Sequence, residues 1–335
     1  MTLPTRRIGP FTVSAIGLGC MNLSHAYGTP PSVEDGAALL NRALDLGVTF
    51  LDTAALYGMG ANERLVRSAV MHRKAEFTLA SKCVLDAVDG KRVLDGRPES
   101  IRRTLDGALG RLGTDHIDLY YLHRLDRKVP VEESVGELKR AVEAGKIGAI
   151  GLSEMGASTI RRAHAVHPIA AVQSEYSAMV RNPEVAVLDT CRELGIGFVA
   201  FSPVARGMLA HGVRDDGYEP GDIRLHMPRF LGDNLRHNLA LVARFDALAA
   251  DAGMTSAQLA LGWVLARGDH IVPIPGTRSI AHLEENVGAA TVDMPADLVA
   301  AVDDLFDGTI RGARYVAPMQ AQIDTEILPG EELAA

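Results

Sequence analysis

The sequence predicts an α/β fold, namely a closed (β/α)8 TIM barrel with an N-terminal β-hairpin, two extra helices and a long loop before the eighth strand. Three observations support this prediction. Short apolar runs alternate with longer segments of helical periodicity, which is typical of parallel strands joined by helical crossovers. Eight such units are present, the number that closes a barrel. The glycine pattern GxGxxG, expected after the first strand of an open dinucleotide-binding sheet, is absent, because residues 17–22 read GLGCMN.

Each element has its own signal in the sequence. The turn Gly9-Pro10 predicts the hairpin at residues 6–14, and the apolar runs predict the eight strands at 15–18, 49–51, 77–81, 117–122, 147–152, 171–173, 197–201 and 271–274. Helical periodicity predicts helices at 33–46, 62–71, 98–112, 131–144, 158–166, 183–194 and 279–289, with the two extra helices within 236–267. Pro98 stands at a first helical position, and Gly113 and Gly195 follow last helical residues, as helix-ending glycines do.

Several segments without periodicity are expected to surround the carboxyl ends of the strands. They are residues 21–31, 84–97, 205–239 and the tail that begins at 308. Long loops without secondary structure inside a compact domain are usually lids or binding loops. Barrels of this size form one domain, so we expect residues 1–335 to be a single domain with an irregular C-terminal tail at about 309–335.

Composition and charge narrow the class of protein. The 335 residues are 47% hydrophobic and carry a formal net charge of −8 at pH 7, which disfavours nucleic acid as a partner because phosphate binding requires a clustered positive field. No apolar run approaches the roughly 18 residues of a membrane-spanning helix, so no membrane association is expected. The three cysteines have neither metal-site nor disulfide spacing, which favours a cytoplasmic location. The oligomeric state stays open.

Four chemically capable side chains stand at or just after the ends of successive predicted strands. Asp52, Lys82 and His123 each close a strand, and Tyr57 lies in the loop after the second one. The active sites of (β/α)8 barrels lie at this end. Taken singly, the Asp could cap a turn, the Tyr could be a loop aromatic and the His could be a structural hydrogen-bonding residue. Together, on adjacent units, they predict an active site.

These four residues are suited to donating a proton to an oxygen on which negative charge develops. A tyrosine hydroxyl has a pKa near 10, and we expect a neighbouring Lys82 ammonium to lower the pKa of Tyr57 while Asp52 keeps that ammonium charged. His123 can orient a carbonyl oxygen toward the phenol. Carbonyl reduction needs such an acid together with a hydride from a cofactor.

The motifs that contain these residues resemble those of the aldo-keto reductases. They are DTAALYG at 52–58, Lys82, LHR at 122–124, GLS at 151–153, QSEYS at 173–177, FSP at 201–203, IPGTR at 274–278 and LEEN at 283–286. The resemblance spans residues 5 to about 310 in the same order, and it is to the bacterial and plant branch with a long final βα loop. It implies an oxidoreductase that reduces an aldehyde or ketone reversibly to the alcohol with NADPH, and that takes a small-molecule carbonyl substrate.

The resemblance also implies roles for individual residues. Asp52, Tyr57, Lys82 and His123 correspond to the catalytic tetrad, with Tyr57 as the proton donor. The implied cofactor contacts are Ser153, Glu154 and Gln173 at the nicotinamide carboxamide, Phe201 stacked on the nicotinamide ring, Ser202, Pro203, Arg206 and Gly207 at the pyrophosphate, Gly276, Thr277, Arg278 and His282 at the 2′-phosphate, and Glu285 and Asn286 at the adenine.

Three departures from the pattern of the family involve four of these positions. Many relatives have Asn where Glu154 stands, and other branches have Tyr in place of Phe201. Gly276 and His282 stand where the aldose reductase branch has a Lys and an Arg. Arg278 is then the cation left for the 2′-phosphate, which favours NADPH but leaves use of NADH open.

Two other functions remain as alternatives. One is a Schiff-base lyase with Lys82 as nucleophile, although the adjacent Asp52 would keep that amine protonated. The other is a non-catalytic nicotinamide-binding interaction protein, since the potassium-channel β subunits share this fold and cofactor site. No metal is expected, because His164 and His167 have the spacing of a metal pair but no converging third ligand.

The substrate is the least determined part of this interpretation. The loops at the strand ends offer mainly apolar candidates for the walls of the substrate site, namely Met21, Tyr27, Leu85, Met155, Phe230 and Tyr315. They suggest an apolar or aromatic carbonyl compound.

Overall fold

The computed structural model describes residues 3–88 and 91–334, and their strands form a barrel with two added hairpins. The strands are β1 (Thr5–Ile8), β2 (Phe11–Ser14), β3 (Leu18–Gly19), β4 (Phe50–Asp52), β5 (Thr78–Cys83), β6 (Leu85–Val88), β7 (Lys91–Leu94), β8 (Ile117–Leu122), β9 (Ile147–Ser153), β10 (Ile169–Glu175), β11 (Gly197–Phe201) and β12 (Ile271–Ile274). The helices are α1 (Val33–Asp45), α2 (Ala61–Val70), α3 (Pro98–Leu112), α4 (Val131–Glu143), α5 (Ala157–Val166), α6 (Val187–Leu194), α7 (Gly232–Asp251), α8 (Ser256–Ala266), α9 (Ile280–Gly288), α10 (Ala296–Phe306) and α11 (Ala317–Gln320).

The eight barrel strands pair in parallel in the order β3-β4-β5-β8-β9-β10-β11-β12. Two backbone hydrogen bonds connect the first strand region to the last, from Gly17 N to Pro273 O at 3.0 Å and from Gly19 N to Pro275 O at 3.4 Å. The predicted (β/α)8 barrel is therefore confirmed.

Apolar side chains fill the interior of the barrel and close its amino-terminal end. Phe50, Leu119 and Val199 point inward and are fully buried in one cluster. Ile8 and Val13, from the β1–β2 hairpin, belong to the same cluster. Because this apolar cluster closes the amino-terminal end, the polar side chains of the barrel lie at the opposite end, where the strands finish.

Helix ends follow the expected local chemistry. The Ser32 side chain accepts a hydrogen bond from Asp35 N at 3.0 Å and so caps α1. Gly113 and Gly195 end α3 and α6 with φ of 68° and 69°, the left-handed region that favours glycine. Among the helices of the described residues, none is long and apolar enough to cross a bilayer.

Several sequence-based boundaries are wrong. The first barrel strand is Leu18–Gly19, where the sequence predicts 15–18. Residues 205–239 contain short 3₁₀ helices at Ala205–Ala210, Ile223–His226 and Pro228–Phe230, and α7 begins at Gly232. Residues 84–97 include the β6–β7 hairpin where a loop is expected, and α10 was not anticipated.

The tail after α10 packs against the carboxyl end of the barrel. Arg314, Tyr315 and Thr325 are buried, although most of the segment has no regular structure. The backbone of Asp324 donates to Glu154 O at 2.9 Å, and Gly156 N donates to the Asp324 carboxylate at 3.1 Å. The tail is therefore anchored at the end of β9.

Candidate active site

A cavity of about 660 Å³ opens at the carboxyl end of the barrel, within the size range of small-molecule sites. Its floor is formed by strand-end residues, among them Asp52, His123 and Gln173. Its walls come from the loops after β3, β4 and β11, from the turn before α9, and from the tail.

Lys82 lies beneath this floor and connects the polar groups there. Its Nζ bonds to the Asp52 carboxylate, donates to Thr53 O at 2.9 Å and donates to the Tyr57 hydroxyl oxygen at 3.2 Å. The Lys82 and Asp52 side chains are at most 1% exposed. The three acceptors match the three N–H donors of an ammonium.

The surroundings keep Lys82 charged. Burial lowers the pKa of Lys82, but the nearby Asp52 and Tyr57 oxygens outweigh burial and leave that pKa above its usual value. A lysine held as an ammonium is not a free amine nucleophile, which disfavours the Schiff-base alternative.

The effect on Tyr57 differs from the expectation. Burial raises the pKa of Tyr57, the Lys82 ammonium lowers it and Asp52 raises it, with a net pKa above the usual value of 10. Lys82 lowers the pKa of Tyr57, as the sequence predicts, but burial outweighs this effect, and the sequence did not reveal how completely the phenol is buried. The hydroxyl therefore stays protonated at neutral pH and can act as an acid.

His123 completes the group at the end of β8. Its ring lies perpendicular to that of Tyr57 at an interplanar angle of 83°, with 6.0 Å between centroids. Burial, with the charges of Arg124 and Lys82, holds the pKa of His123 well below its usual value. The imidazole is therefore neutral at neutral pH, and a neutral ring has one N–H to donate.

Most of the predicted cofactor residues line this cavity. They are Ser153, Gln173, Phe201, Ser202, Pro203, Arg206, Gly207, Gly276, Thr277, Arg278, His282, Glu285 and Asn286. The Gln173 amide also donates to the Asp52 carboxylate at 2.8 Å. No group of three or more potential metal ligands occurs among the described residues.

Glu154 is the exception. Its side chain is fully buried and does not line the cavity. The carboxylate accepts from Arg314 Nη2 at 2.7 Å and from Glu175 N at 2.7 Å, and the Glu154 backbone has a left-handed φ of 54°. The predicted contact with a carboxamide is therefore corrected, since this side chain is bound to the tail.

The two arginines expected to bind the phosphates of the cofactor differ in whether a carboxylate already pairs with them. Arg206 is 7% exposed and binds Glu175 through two hydrogen bonds of 3.1 and 2.8 Å, so its charge is compensated within the protein. Arg278 is exposed and donates to Thr29 O at 2.8 Å. Among the described residues Arg278 has no carboxylate partner, so it retains a charge for an anionic group.

The cavity also contains residues that the sequence interpretation did not select. They include His25, Arg92, Arg124, Arg224 and Met319. Arg124 could have been found from its place directly after His123. Of the suggested apolar wall residues, Met21, Tyr27 and Tyr315 line the cavity, whereas Leu85, Met155 and Phe230 are buried elsewhere.

Comparison with a family model and with two known proteins gives matches to the same family. The model of the aldo/keto reductase family matches residues 15–307. The aldo-keto reductase yakc, an NADP(+) enzyme by its name, from Schizosaccharomyces pombe is 43% identical over 98% of this chain and 100% of its own length. A probable aldo-keto reductase of Glycine max is 43% identical over 91% of this chain and 89% of its own.

Solved structures show the same architecture. The glycerol dehydrogenase of Gluconobacter oxydans superposes with a TM-score of 0.82 at 26% identity, covering 98% of each chain. An aldo-keto reductase of Bacillus halodurans in its holo form gives a TM-score of 0.75 at 25% identity, over 94% of this chain and 98% of that one.

Proposed function

The chain belongs to the aldo/keto reductase family, oxidoreductases that act on carbonyl compounds, and from this premise we propose that it reduces an aldehyde or ketone reversibly with NADPH, using Tyr57 as proton donor. The observation that carries the proposal is the buried Tyr57 hydroxyl at 3.2 Å from the Lys82 ammonium, on the floor of a ligand-sized cavity.

The cavity suits a nicotinamide dinucleotide phosphate, which when bound supplies a hydride. Phe201 offers a partly exposed aromatic face, and the Ser153 hydroxyl and Gln173 amide offer polar contacts beside it. Arg278 stands just before α9, whose amino-terminal N–H groups favour an anion. The remaining proposed contacts are Ser202, Pro203, Arg206, Gly207, Gly276, Thr277, His282, Glu285 and Asn286.

The preference for NADPH over NADH rests on Arg278. A guanidinium without a carboxylate partner among the described residues is suited to a 2′-phosphate. The name of the Schizosaccharomyces pombe relative includes NADP(+), which supports the same choice.

The protein's own part in the reaction is proton transfer and charge stabilisation. As the carbonyl oxygen gains negative charge, Tyr57 donates its proton to that oxygen. The Lys82 ammonium stabilises the tyrosinate that remains, and Asp52 keeps the ammonium in place. The neutral His123 ring donates a hydrogen bond to the same substrate oxygen and orients it. These groups are held before the substrate arrives, so little reorganisation is required during the reaction.

The test is the variant Tyr57→Phe, assayed by NADPH oxidation with a panel of aldehydes. Loss of a general acid typically costs about 100-fold or more in kcat, and we expect at least that loss with unchanged NADPH binding measured by fluorescence. Tyr120→Phe is the matched control, because that hydroxyl is buried without a hydrogen-bond partner among the described residues. Equal rates for Tyr57→Phe and the wild type would refute the proposed role.

The same assay separates the proposal from the non-catalytic alternative. A nicotinamide-binding interaction protein would bind NADPH but oxidise it no faster with aldehyde than without, in the wild type as in Tyr57→Phe.

A further inference from the structure

Two arginine side chains of the cavity lie next to Tyr57 and His123, and neither has been assigned a direct contact with the substrate or the cofactor. Arg92 belongs to β7, in the hairpin above the barrel, and Arg124 follows His123 at the end of β8. Both line the same cavity as Tyr57 and His123.

The position of Arg124 is held by neutral groups. Its Nη1 donates to His123 O at 2.6 Å and to Ser153 Oγ at 3.2 Å. These contacts orient the guanidinium but do not compensate its charge. Among the described residues no carboxylate forms an ion pair with Arg124.

Arg92 lines the same cavity from strand β7. Side chains two residues apart on a strand share a face, so Arg92 lies on the face of β7 that also carries Leu94. Leu94 packs against the cluster that contains Leu56 and Tyr57. Arg92 therefore lies about 7 Å further along the strand, at the rim above the phenol. Within the described part of the chain Arg92 also has no carboxylate partner, and it is an exposed residue of the cavity lining.

The charges that face these two guanidinium groups are mostly positive or already paired. Asp52 is bound to Lys82, and Arg224 is paired with Asp222. Burial lowers the pKa of Arg92, and the positive charge of Arg124 lowers it further. The two guanidinium groups therefore repel each other. Like charges without a counter-ion in a partly desolvated site are unfavourable, and an anionic ligand between them would relieve the repulsion.

We propose that Arg92 and Arg124 bind an anionic group of the substrate, a carboxylate or a phosphate, and so select carbonyl compounds that carry a negative charge at a distance from the reacting carbonyl. The inference rests on the proposed reductase function and specifies its substrate class. A guanidinium presents paired N–H donors that match the oxygens of either group. The apolar or aromatic carbonyl substrate suggested by the sequence took neither arginine into account.

The anionic group in question is not one of the cofactor's own. The proposed phosphate contacts lie at residues 202–207 and 276–282, whereas Arg92 and Arg124 lie beside His123 and Tyr57. The electrostatic influence of both arginines on His123 agrees with this location, since their charges contribute to lowering its pKa after burial.

The experiment compares matched pairs of aldehydes with the wild type, Arg92→Gln and Arg124→Gln. The carboxylate pair is 4-carboxybenzaldehyde and its neutral methyl ester, and the phosphate arm is 4-formylphenyl phosphate against 4-methoxybenzaldehyde. Hydrogen bonds to charged groups exceed neutral ones by roughly tenfold in their net contribution to binding, so we expect the wild type to favour an anionic member by about tenfold in kcat/KM. Each variant should lose that preference and keep its rate with the neutral member within about twofold. The arm that shows the preference identifies the group.

A binding measurement does not depend on turnover. Calorimetry with 4-(hydroxymethyl)benzoate and its methyl ester, without cofactor, should show about tenfold weaker binding of the anion to either variant and no change for the ester. Arg192→Gln serves as control, because Arg192 lies on the outer helix α6, paired with Asp189.

The outcomes distinguish the two proposals. If the neutral aldehydes are reduced and no anionic member is preferred, or if both members lose rate equally in the variants, the anion site is refuted while the reductase function stands. If no aldehyde is reduced by the wild type, the reductase function fails, and a loss of benzoate binding in the variants still supports the anion site.

Discussion

At the scale of single residues, Lys82 determines the chemistry of the site through the three groups that it binds. Its ammonium contacts the Asp52 carboxylate, the Thr53 carbonyl and the Tyr57 hydroxyl while being almost fully buried. A buried charge is tolerated only when such partners surround it. The same contacts set the acidity of Tyr57, so one side chain has a structural and a chemical role.

Replacing Lys82 by Met is expected to weaken the proton donor. Burial already raises the pKa of Tyr57, and the ammonium is the main influence that opposes it. Reduction requires the protonated phenol, so the wild-type kcat should stay level at neutral pH and fall only above about pH 10. Without the ammonium the pKa rises further, so the fall should move to higher pH and kcat should drop about 100-fold or more at pH 7. The measurement is a pH profile of kcat for reduction.

Lys74→Met is the matched control, since Lys74 pairs with Asp118 near the start of β5, away from the cavity. A Lys82→Met profile that falls at lower pH than that of the wild type would contradict the assignment. Circular dichroism of both variants checks that the loss is not one of folding.

At the scale of elements, the tail is joined to the strand ends by a buried ionic network. Arg314 binds Glu154 at 2.7 Å and Glu175 at 3.1 Å, and the Tyr315 hydroxyl donates to Glu175 at 2.5 Å. Arg206, in the loop after β11, binds the same Glu175. Two arginines thus balance two glutamates. Burial raises the pKa of Glu175, but the charges of Arg206 and Arg314 outweigh burial and lower that pKa to about 2. Tyr315, a wall of the cavity, is held by this network.

The variant Arg314→Met is expected to destabilise the protein and loosen this wall. Removing one partner of a buried ion pair leaves uncompensated charge and typically costs about 3–5 kcal/mol. We expect a loss of that size in the free energy of unfolding in urea, together with a raised KM for aldehydes. Arg311→Met, three positions earlier in the same segment, is the control, because that side chain is exposed. Equal stability of the two variants would show that the network contributes little.

The sequence predicted those elements and residues whose signals are local. The bounds of α3, β8, β11 and β12 agree with the structure, since each strand is a mainly apolar run and α3 begins at a proline and ends at a glycine. The sequence could indicate that Asp52, Tyr57, Lys82 and His123 lie together, because each of them closes a strand or follows one. The β6–β7 hairpin had a usable signal, the DG pair at 89–90 between apolar residues, although residues 89–90 themselves lie outside the described part of the chain.

The location of Glu154 could not be predicted in this way. Its partner Arg314 is 160 positions away in the sequence, and no periodic pattern relates the two. The same applies to the net pKa of Tyr57, which depends on how fully several distant segments bury the phenol. Such properties depend on how loops that are distant in the sequence pack together, and local sequence patterns do not predict that packing.

At the scale of the whole molecule, the charge is unevenly distributed. The net charge is −8, yet the cavity is lined by Arg92, Arg124, Arg206, Arg224 and Arg278. A cavity concentrates the field of its own lining charges, because its low-dielectric walls focus that field. An acidic protein can therefore hold anionic ligands at one end of its barrel.

Segments added to the barrel are bound to it at both of its ends, and a single domain over residues 1–335 stays a prediction. The β1–β2 hairpin places Ile8 and Val13 in the interior cluster, and the tail is bound at Glu154. The helices α8 and α10 are joined through the single tryptophan, since Trp263 Nε1 donates to Asp303 at 3.0 Å.

We therefore expect barrel and tail to unfold together. Trp263 is fully buried in α8 and reports on the contact of α8 with α10, whereas far-UV circular dichroism reports on all the helices. In a single cooperative unit the urea transitions followed by the two signals coincide, and Arg314→Met should shift both midpoints by the same amount, because the ionic network belongs to that unit. Two separate transitions, or a variant that shifts the circular dichroism midpoint alone, would divide the chain into independently unfolding parts. If the midpoints move together, the buried charges of the tail stabilise the barrel as a whole and not merely the wall that they form.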